Sequence, residues 1–353
     1  MPLIFSLNES RLPLFMGPFL TAYVAGFAGT YLSIHLAQRL NRLDHPGERS
    51  SHTMPMPRFG GIGIALGVFA ATSIFAVPIE NIAYACAIWT GALFALLFGL
   101  LDDVRPMAAL PKLGCQLVCA SIPPMLGLAF FPGIIGSLLA FGWILFFMNA
   151  YNFMDGMDGM TASFGMLACV AMLCPLMLAW NYFDAPHFRV LLLLAITAAL
   201  LAFWRFNRTP ARTFMGDGGS QMLGYMLALA LVAMPCAIIP GAFLAFWPFV
   251  FDVSYTLIQR SMRGENLLVA HREHLYQRLL RAGLTHPQCL RRVLFFQIIC
   301  VAASVYASVG WLMQPRGDAS QVHFYRACVA VAIATIAYVH NVIRFEKRVR
   351  GSA

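Results

Sequence analysis

The chain has 353 residues, 60% of them hydrophobic and 11% charged, with a mean hydropathy of +0.72. That composition excludes a water-soluble core of this length and points to an all-α, polytopic membrane protein. The formal net charge of +9 is not arranged as a basic stripe interleaved with aromatics, so nucleic acid is not an expected partner. It reads instead as a topogenic signal and as attraction to the headgroups of the lipid bilayer.

Crossing the hydrocarbon layer takes about 20 apolar residues per helix. In chain order, apolar segments at 13–38, 61–79, 82–101, 113–130, 133–151, 160–180, 188–205, 218–236, 239–259, 292–313 and 323–344 predict eleven transmembrane helices. The first is too long for a signal-peptide core and follows no basic n-region, so it is expected to stay uncleaved. Pro123, Pro124 and Pro132 mark the fourth and fifth segments as the one pair that can also be read as a re-entrant element. Eight of the nine cysteines sit in or near spans and no CxxC pair occurs, so no disulfide is expected.

An odd number of spans puts the termini on opposite sides, and the basic residues choose between them. Of the 24 lysines and arginines, 20 fall on one side, leaving only Arg11, Arg189, Arg316 and Arg326 on the other. The rich side, with the C-terminus, is therefore expected to be cytoplasmic. The connections on that side are 40–60, 102–112, 152–159, 206–217 and 260–291, and each carries a polar cluster.

The first runs from Asp44 through Arg49, His52 and Pro55 to Arg58, Gly60 and Gly61. Proline stiffens it, glycine permits close approach to a ligand, and the guanidinium fork suits phosphate. A plain positive-inside loop uses the same residues. Asp102 and Asp103 come directly after the third span, at the negative end of a helix dipole, where a carboxylate pair invites a cation or accepts a proton. A water-exposed helix end is the alternative.

The third cluster, Asn149, Tyr151, Asn152, Asp155, Gly156, Asp158 and Gly159, offers several oxygens at the spacing a hard cation and its phosphates need. Capping of the sixth span by Asp158 competes with that reading. The fourth, Asn207 to Ser220, ends as the eighth span begins, where backbone N–H groups can cradle an anion and Asp217 can hold a cation. Capping by Asp217 or Ser220 is the competitor here, and Phe214 is either a base-stacking or an interfacial aromatic. In the last loop His271 and His274 share a face if the segment is helical. They lack further ligands for zinc, so phosphate contact competes with an interfacial amphipathic helix. Asp252, inside the ninth span, needs a partner.

Taken together these residues resemble a known family. Asp44-x-Pro46 to Arg49, His52, Pro55-x-Pro57-Arg58-x-Gly60-Gly61; Asp102-Asp103; Asn149-x-x-Asn152-x-x-Asp155-Gly156-x-Asp158-Gly159; Pro210-Ala211-x-x-Phe214-Met215-Gly216-Asp217-x-Gly219-Ser220; and His271-x-x-His274 occur in the order found in the polyprenyl-phosphate N-acetylhexosamine-1-phosphate transferases of glycosyltransferase family 4. The resemblance covers nearly the whole chain. It implies a single transmembrane catalytic domain over 1–353, in the bacterial inner membrane with a cytoplasmic active face. The implied reaction is transfer of an N-acetyl-sugar-1-phosphate from a UDP-sugar to undecaprenyl phosphate, with Mg²⁺ (or Mn²⁺) as cofactor and room for a homodimer.

Carried over residue by residue, the resemblance implies Asp217 as the metal ligand. Asp102 becomes the group that deprotonates the lipid phosphate, with Asp103 holding position or sharing the metal. Asn152, Asp155 and Asp158 contact the uridine, diphosphate or metal sphere. Phe214 stacks on uracil, and His52, Arg58, His271 and His274 bind phosphate or sugar. Ser50 stands where the N-acetylglucosamine branch usually has lysine. Arg49 to His52 together with Ala270 to Leu279 look most like the O-antigen initiating branch, which implies a 6-deoxy sugar of the FucNAc or QuiNAc type. A UDP-N-acetylglucosamine enzyme is the alternative within the family. A secondary transporter is the alternative outside it, but it would place its acids at the midplane of repeated halves.

Overall fold

The computed structural model describes residues 12–44, 54–75, 82–178, 187–267, 269, 271–313 and 318–351. Helices form at every predicted span: α1 Leu12–Arg39, α2 Gly60–Phe75, α3 Ile82–Val104, α4 Ala109–Met125, α5 Ile134–Met154, α6 Met160–Leu178, α7 His187–Asn207 and α8 Gly216–Val232. They continue with α9 Ile239–Phe243, a 3-10 turn Leu244–Phe246, α10 Trp247–Met262, the short α11 Leu275–Arg281, α12 His286–Met313 and α13 Asp318–Gly351. Length and composition qualify eight of these as membrane spans, with α9, the 3-10 turn and α10 counted as one run. The three predicted spans left out are α2, α4 and α8, of 16, 17 and 17 residues.

The chain divides into two compact units, Met1–Ile239 and Pro240–Ala353. In the first, α8 is the core helix: every residue from Gly218 to Val232 is buried. It packs on α2, α3, α5 and α6. A helix covered by protein on all sides is not bound by the lipid thickness, which explains why α8 is short yet apolar beyond Gln221 but for the Tyr225 hydroxyl. Helices α1, α2 and α7 pack on one another. Between α1 and α2 small residues set the spacing, since a Cβ on Gly63 would fall 2.1 Å from Thr30 Oγ1. Lipid does not squeeze helices together as water does, so backbones that come this close gain dispersion contact instead. Exposed Leu20, Val24, Leu32, Leu93, Leu97, Ile135 and Leu138 are the side chains a bilayer would cover.

In the second unit α12 packs along α13, with α10 and the 3-10 turn against α12. Arg278 of α11 makes a two-pronged contact with Glu346 of α13, Nε at 2.7 Å and Nη2 at 2.6 Å from the carboxylate oxygens. Trp247 Nε1 donates to Thr335 Oγ1 at 2.9 Å.

Two local expectations change. Helix α3 runs on to Val104, so Asp102 and Asp103 belong to its last turn rather than to the following loop. Their side chains find partners that keep the turn wound, as described below. Residues 271–274 are not helical, and α11 starts only at Leu275. His271 and His274 therefore do not share a helix face, although their rings lie 4.9 Å apart.

Candidate active site

The polar ends of α3, α4, α5 and α8 meet in the first unit. Helix α8 begins at Gly216, whose φ of 76° is open to glycine at little cost. A Cβ there would stand 2.2 Å from the Arg58 carbonyl and 2.6 Å from Asp103 Oδ2. The turn before it is laced to the segment entering α2. Phe214 N–H donates to Pro57 O (2.8 Å), Gly60 N–H to Phe214 O (3.0 Å) and Gly61 N–H to Met215 O (2.9 Å). Thr213 Oγ1 adds a bond to Pro57 O at 3.0 Å. A two-residue hairpin, β1 Leu43–Asp44 with β2 Met56–Pro57, anchors the far side of this lacing.

The first turn of any helix leaves N–H groups without intrahelical partners. Here Asp103 satisfies two of them: Oδ1 accepts from Asp217 N–H at 2.9 Å and Oδ2 from Gly218 N–H at 3.0 Å. The carboxylate also faces the positive end of the α8 dipole. So α8 is capped neither by Asp217 nor by Ser220 but by an acid from α3. That frees the Asp217 side chain for other work.

Asp217 and Asp102 are joined by a residue the sequence reading had counted only as a topogenic charge. Lys112 Nζ lies 2.6 Å from Asp102 Oδ2 and 3.3 Å from Asp217 Oδ1. Asp102, 7% exposed, also accepts from Met107 N–H at 2.6 Å, which folds the short link between α3 and α4 over the carboxylate. On the other side Asn152 Nδ2 donates to Asp217 Oδ1 at 2.5 Å and to Ser220 Oγ at 2.8 Å. Asp102, Lys112, Asp217 and Asn152 thus form one continuous chain of contacts, made by four different helices.

Asp155 stands next to this chain, just past the end of α5, and Oδ1 accepts from Thr161 Oγ1 at 2.6 Å. Burial, reinforced by the charge of Asp217, pushes its carboxyl up to about 6, against the opposing pull of the Thr161 bond and Arg58. Asp158 has another task. Its Oδ2 accepts from Ala211 N–H at 3.1 Å, while Gly159 N–H donates to Asn207 Oδ1 at 2.9 Å and Asn207 Nδ2 to Thr213 O at 3.0 Å. These bonds clip the loop before α6 to the loop before α8. Arg58, 42% exposed, faces Asp44 at 3.8 Å, and Phe214 is half-buried. His52 lies outside the described residues.

His271 and His274 belong to the second unit. His274 is 2% exposed and its Nδ1 lies 3.0 Å from Asp252 Oδ1, which also accepts from Leu275 N–H at 3.0 Å. Asp252 has the partner its depth demanded. His271 is half-buried; burial and the nearby His274 and Arg260 lower its pKa to about 4, so it is neutral at physiological pH. The loop is held from below by Arg260, another residue read only as a topogenic charge. It is 4% exposed, and its guanidinium donates to Glu265 Oε2 (2.8 Å), Asn266 O (2.9 Å) and Val269 O (3.1 Å).

Among the described residues no three His, Cys, Asp or Glu side chains stand together as a metal cage. The oxygen-rich site still fits a hard divalent cation of the Mg²⁺ kind. Such an ion uses one or two carboxylates and takes its remaining ligands from water and phosphate. Four carboxylates (Asp102, Asp103, Asp155, Asp217) against Lys112 and Arg58 also leave the site net negative. Without a cation it would repel a diphosphate.

The family model for glycosyl transferase family 4 matches residues 85–235. Similar relatives include the decaprenyl-phosphate N-acetylglucosaminephosphotransferase of Mycobacterium tuberculosis, 28% identical over 357 residues, covering 90% of this chain and 87% of the relative. The probable undecaprenyl-phosphate N-acetylglucosaminyl 1-phosphate transferase of Bacillus subtilis is 29% identical over 273 residues (71% and 73%). The undecaprenyl-phosphate alpha-N-acetylglucosaminyl 1-phosphate transferase of Escherichia coli K12 is 26% identical over 349 residues (89% and 89%). The matched stretch begins inside α3 and closes just after α8, so the likeness to glycosyl transferase family 4 takes in Asp102, Asp103, Lys112, Asn152, Asp155 and Asp217.

Proposed function

We propose that the chain transfers an N-acetyl-sugar-1-phosphate from a UDP-sugar to undecaprenyl phosphate at the cytoplasmic face of a bacterial inner membrane. The observation that carries this reading is the contact chain from Asp102 through Lys112 to Asp217 and Asn152. It sets an ammonium, an amide and carboxylates side by side at the polar ends of membrane helices. The names of the relatives support the same reaction.

Two anionic substrates have to meet, so charge neutralisation and in-line positioning make up most of the barrier. An oxygen of the lipid phosphate attacks the β-phosphorus of the nucleotide sugar. The bond from that phosphorus to the oxygen bridging it to the α-phosphorus breaks, and UMP leaves with that oxygen. Asp102 takes the proton of the lipid phosphate where it carries one. Lys112 supplies a mobile point charge to the phosphate oxygens. Asp103 holds the start of α8, Asn152 orients Asp217, and Asp155 adds a second carboxylate. Mg²⁺ would be held by Asp217 with Asp155 beside it, and would supply charge neutralisation at the diphosphate. Arg58 contributes phosphate contact and Phe214 stacking on uracil. His274 is committed to Asp252, so of the two histidines His271 is the one assigned to phosphate or sugar.

The sugar is the finer part of the proposal. Arg49 to His52 and Ala270 to Leu279 favour a 6-deoxy N-acetyl sugar, whereas the relatives are named for N-acetylglucosamine. Release of UMP from UDP-FucNAc, UDP-QuiNAc and UDP-GlcNAc with undecaprenyl phosphate decides both points. A 6-deoxy enzyme should prefer the first two by about tenfold to a few hundredfold in kcat/KM, the range one apolar subsite supplies. The reverse ratio assigns the chain to N-acetylglucosamine. No UMP from any of the three overturns the reaction itself.

A further inference from the structure

One helical turn below the site lies a second polar layer that the reaction does not touch. Gln116 Nε2 donates to Gln221 Oε1 at 3.2 Å, and Asn149 Nδ2 donates to Gln116 Oε1 at 3.0 Å. Gln116 is 2% exposed and Gln221 is wholly buried. Each of the three comes from a helix that also supplies the site. Gln116 is four residues from Lys112 on α4, Gln221 four from Asp217 on α8, and Asn149 three from Asn152 on α5. Those spacings put each pair on one helix face.

Buried amides inside a membrane bundle are poor glue, because both the folded and the separated helices find partners for them. This layer is not even fully satisfied: Gln221 Nε2 has no hydrogen-bond partner among the described residues. A structure that keeps an incompletely paired amide at this depth is keeping it for its direction. Helix α4 shows which direction is needed. Its buried residues are Gln116, Cys119, Ala120 and Pro123, and apart from Gln116 this face is small and smooth. Besides the Lys112 contacts, its one further side-chain bond to a neighbouring helix, among the described residues, is the weak one from Cys119 Sγ to Gly91 O at 3.7 Å, so Gln116 is the main polar tie on the rotation of α4. A rotation of one residue is about 100°. It would swing Lys112 away from both carboxylates.

We propose that Gln116, tied to Gln221 and Asn149, is the positioning residue that sets the rotation of α4 and so holds Lys112 between Asp102 and Asp217. The catalytic consequence rests on the reaction proposed above; the positioning itself does not. The experiment therefore has one arm that needs no turnover. The chain has only two lysines, Lys112 and Lys347. Amine labelling read by mass spectrometry thus follows Lys112 directly, with exposed Lys347 as the internal reference.

In the purified full-length protein, Gln116→Met keeps the length of the side chain and removes its hydrogen bonds. Labelling of Lys112 relative to Lys347 should rise about fivefold as the paired, shielded amine is released. Gln116→Met/Gln221→Met leaves neither glutamine orphaned, and Asn149 Nδ2 keeps its bond to Leu145 O at 2.9 Å. The labelling should show the same rise, which covers the case where the single variant folds poorly. An unchanged ratio in both overturns the proposal.

In the second arm, Gln116→Met should lower kcat about tenfold while KM for the UDP-sugar stays within about twofold. In a Lys112→Arg background the loss should shrink below about threefold, because the longer, forked guanidinium depends less on the register of α4. Equal losses in the two backgrounds would mark Gln116 as a packing residue only and overturn the proposal. A raised labelling ratio in a protein whose wild type releases no UMP would instead overturn the reaction and leave the positioning relation standing.

Discussion

Lys112 Nζ stands 2.6 Å from Asp102 Oδ2, and this pairing gives the acid of α3 a counter-charge of its own. The ammonium keeps this carboxylate ionised, the form in which it can accept a proton from an arriving phosphate. Asp102→Asn keeps the shape and loses the base. Turnover should fall by about 10²- to 10⁴-fold, while affinity for the UDP-sugar, measured by calorimetry, changes little. Collapse of donor affinity with kcat intact would move Asp102 to the donor site.

Asp217 carries the metal assignment. Asp217→Asn removes the charge but retains the contact with Asn152, so the protein should keep its Tm while turnover drops by at least about a hundredfold. EDTA should abolish wild-type activity and added Mg²⁺ or Mn²⁺ restore it. Undiminished activity in EDTA would refute the cofactor.

Asp103 acts through the backbone of α8, so its loss should be read first in stability. Removing an N-cap costs about 1–2 kcal/mol, and Asp103→Ala should lower Tm by several degrees together with activity. Asp103→Asn retains one acceptor and should recover part of both. Turnover lost with Tm unchanged in Asp103→Asn would assign the residue to the substrate instead.

His271 gives a pH signature. Its pKa is lowered to about 4 from an ordinary value of 6.5, first by burial, so the unfolded chain binds more protons than the folded one between those values. Stability from this source is present above about pH 6.5 and is lost as pH falls toward about 4. Tm of the wild type should decline through that window, and His271→Gln, which has no proton to gain, should flatten the decline. An identical slope in the two proteins would show that the group does not contribute.

Topology can be tested without activity. A cysteine at Ser51 should resist an impermeant thiol reagent in intact cells and one at Ser320 should react, both in a background cleared of accessible native thiols. The opposite pattern would invert the membrane orientation.

Much of this was legible in the sequence. Apolar runs located the eight helices that, among the described residues, are long and apolar enough to cross a membrane, because a span announces itself by composition alone. Asp102, Asn152 and Asp217 stood out because acids and amides at the ends of such runs are costly without a purpose. Lys112 did not stand out: in a loop rich in basic residues one more cation looks like part of the topogenic signal, and only the fold shows it between two carboxylates. Asp103 was read as chemistry because its partners, the first N–H groups of α8, lie 114 and 115 residues away. Arg260 was hidden for the same reason as Lys112. Whether His271 and His274 share a helix face stayed open, because spacing alone cannot tell a helical turn from a loop anchored by Asp252.

The wall of the site formed by α2 and α8 is built from backbone. A Cβ on Gly61 would fall 2.3 Å from the Gly219 Cα, and one on Gly219 would meet Gly61 Cα at 2.7 Å. No side chain can be added at Gly61 or Gly219 without parting the two helices, so these two positions cannot be varied to select a new substrate preference. Residues of the peripheral loops are free of that constraint, since one can change there without moving the helix that carries Asp217.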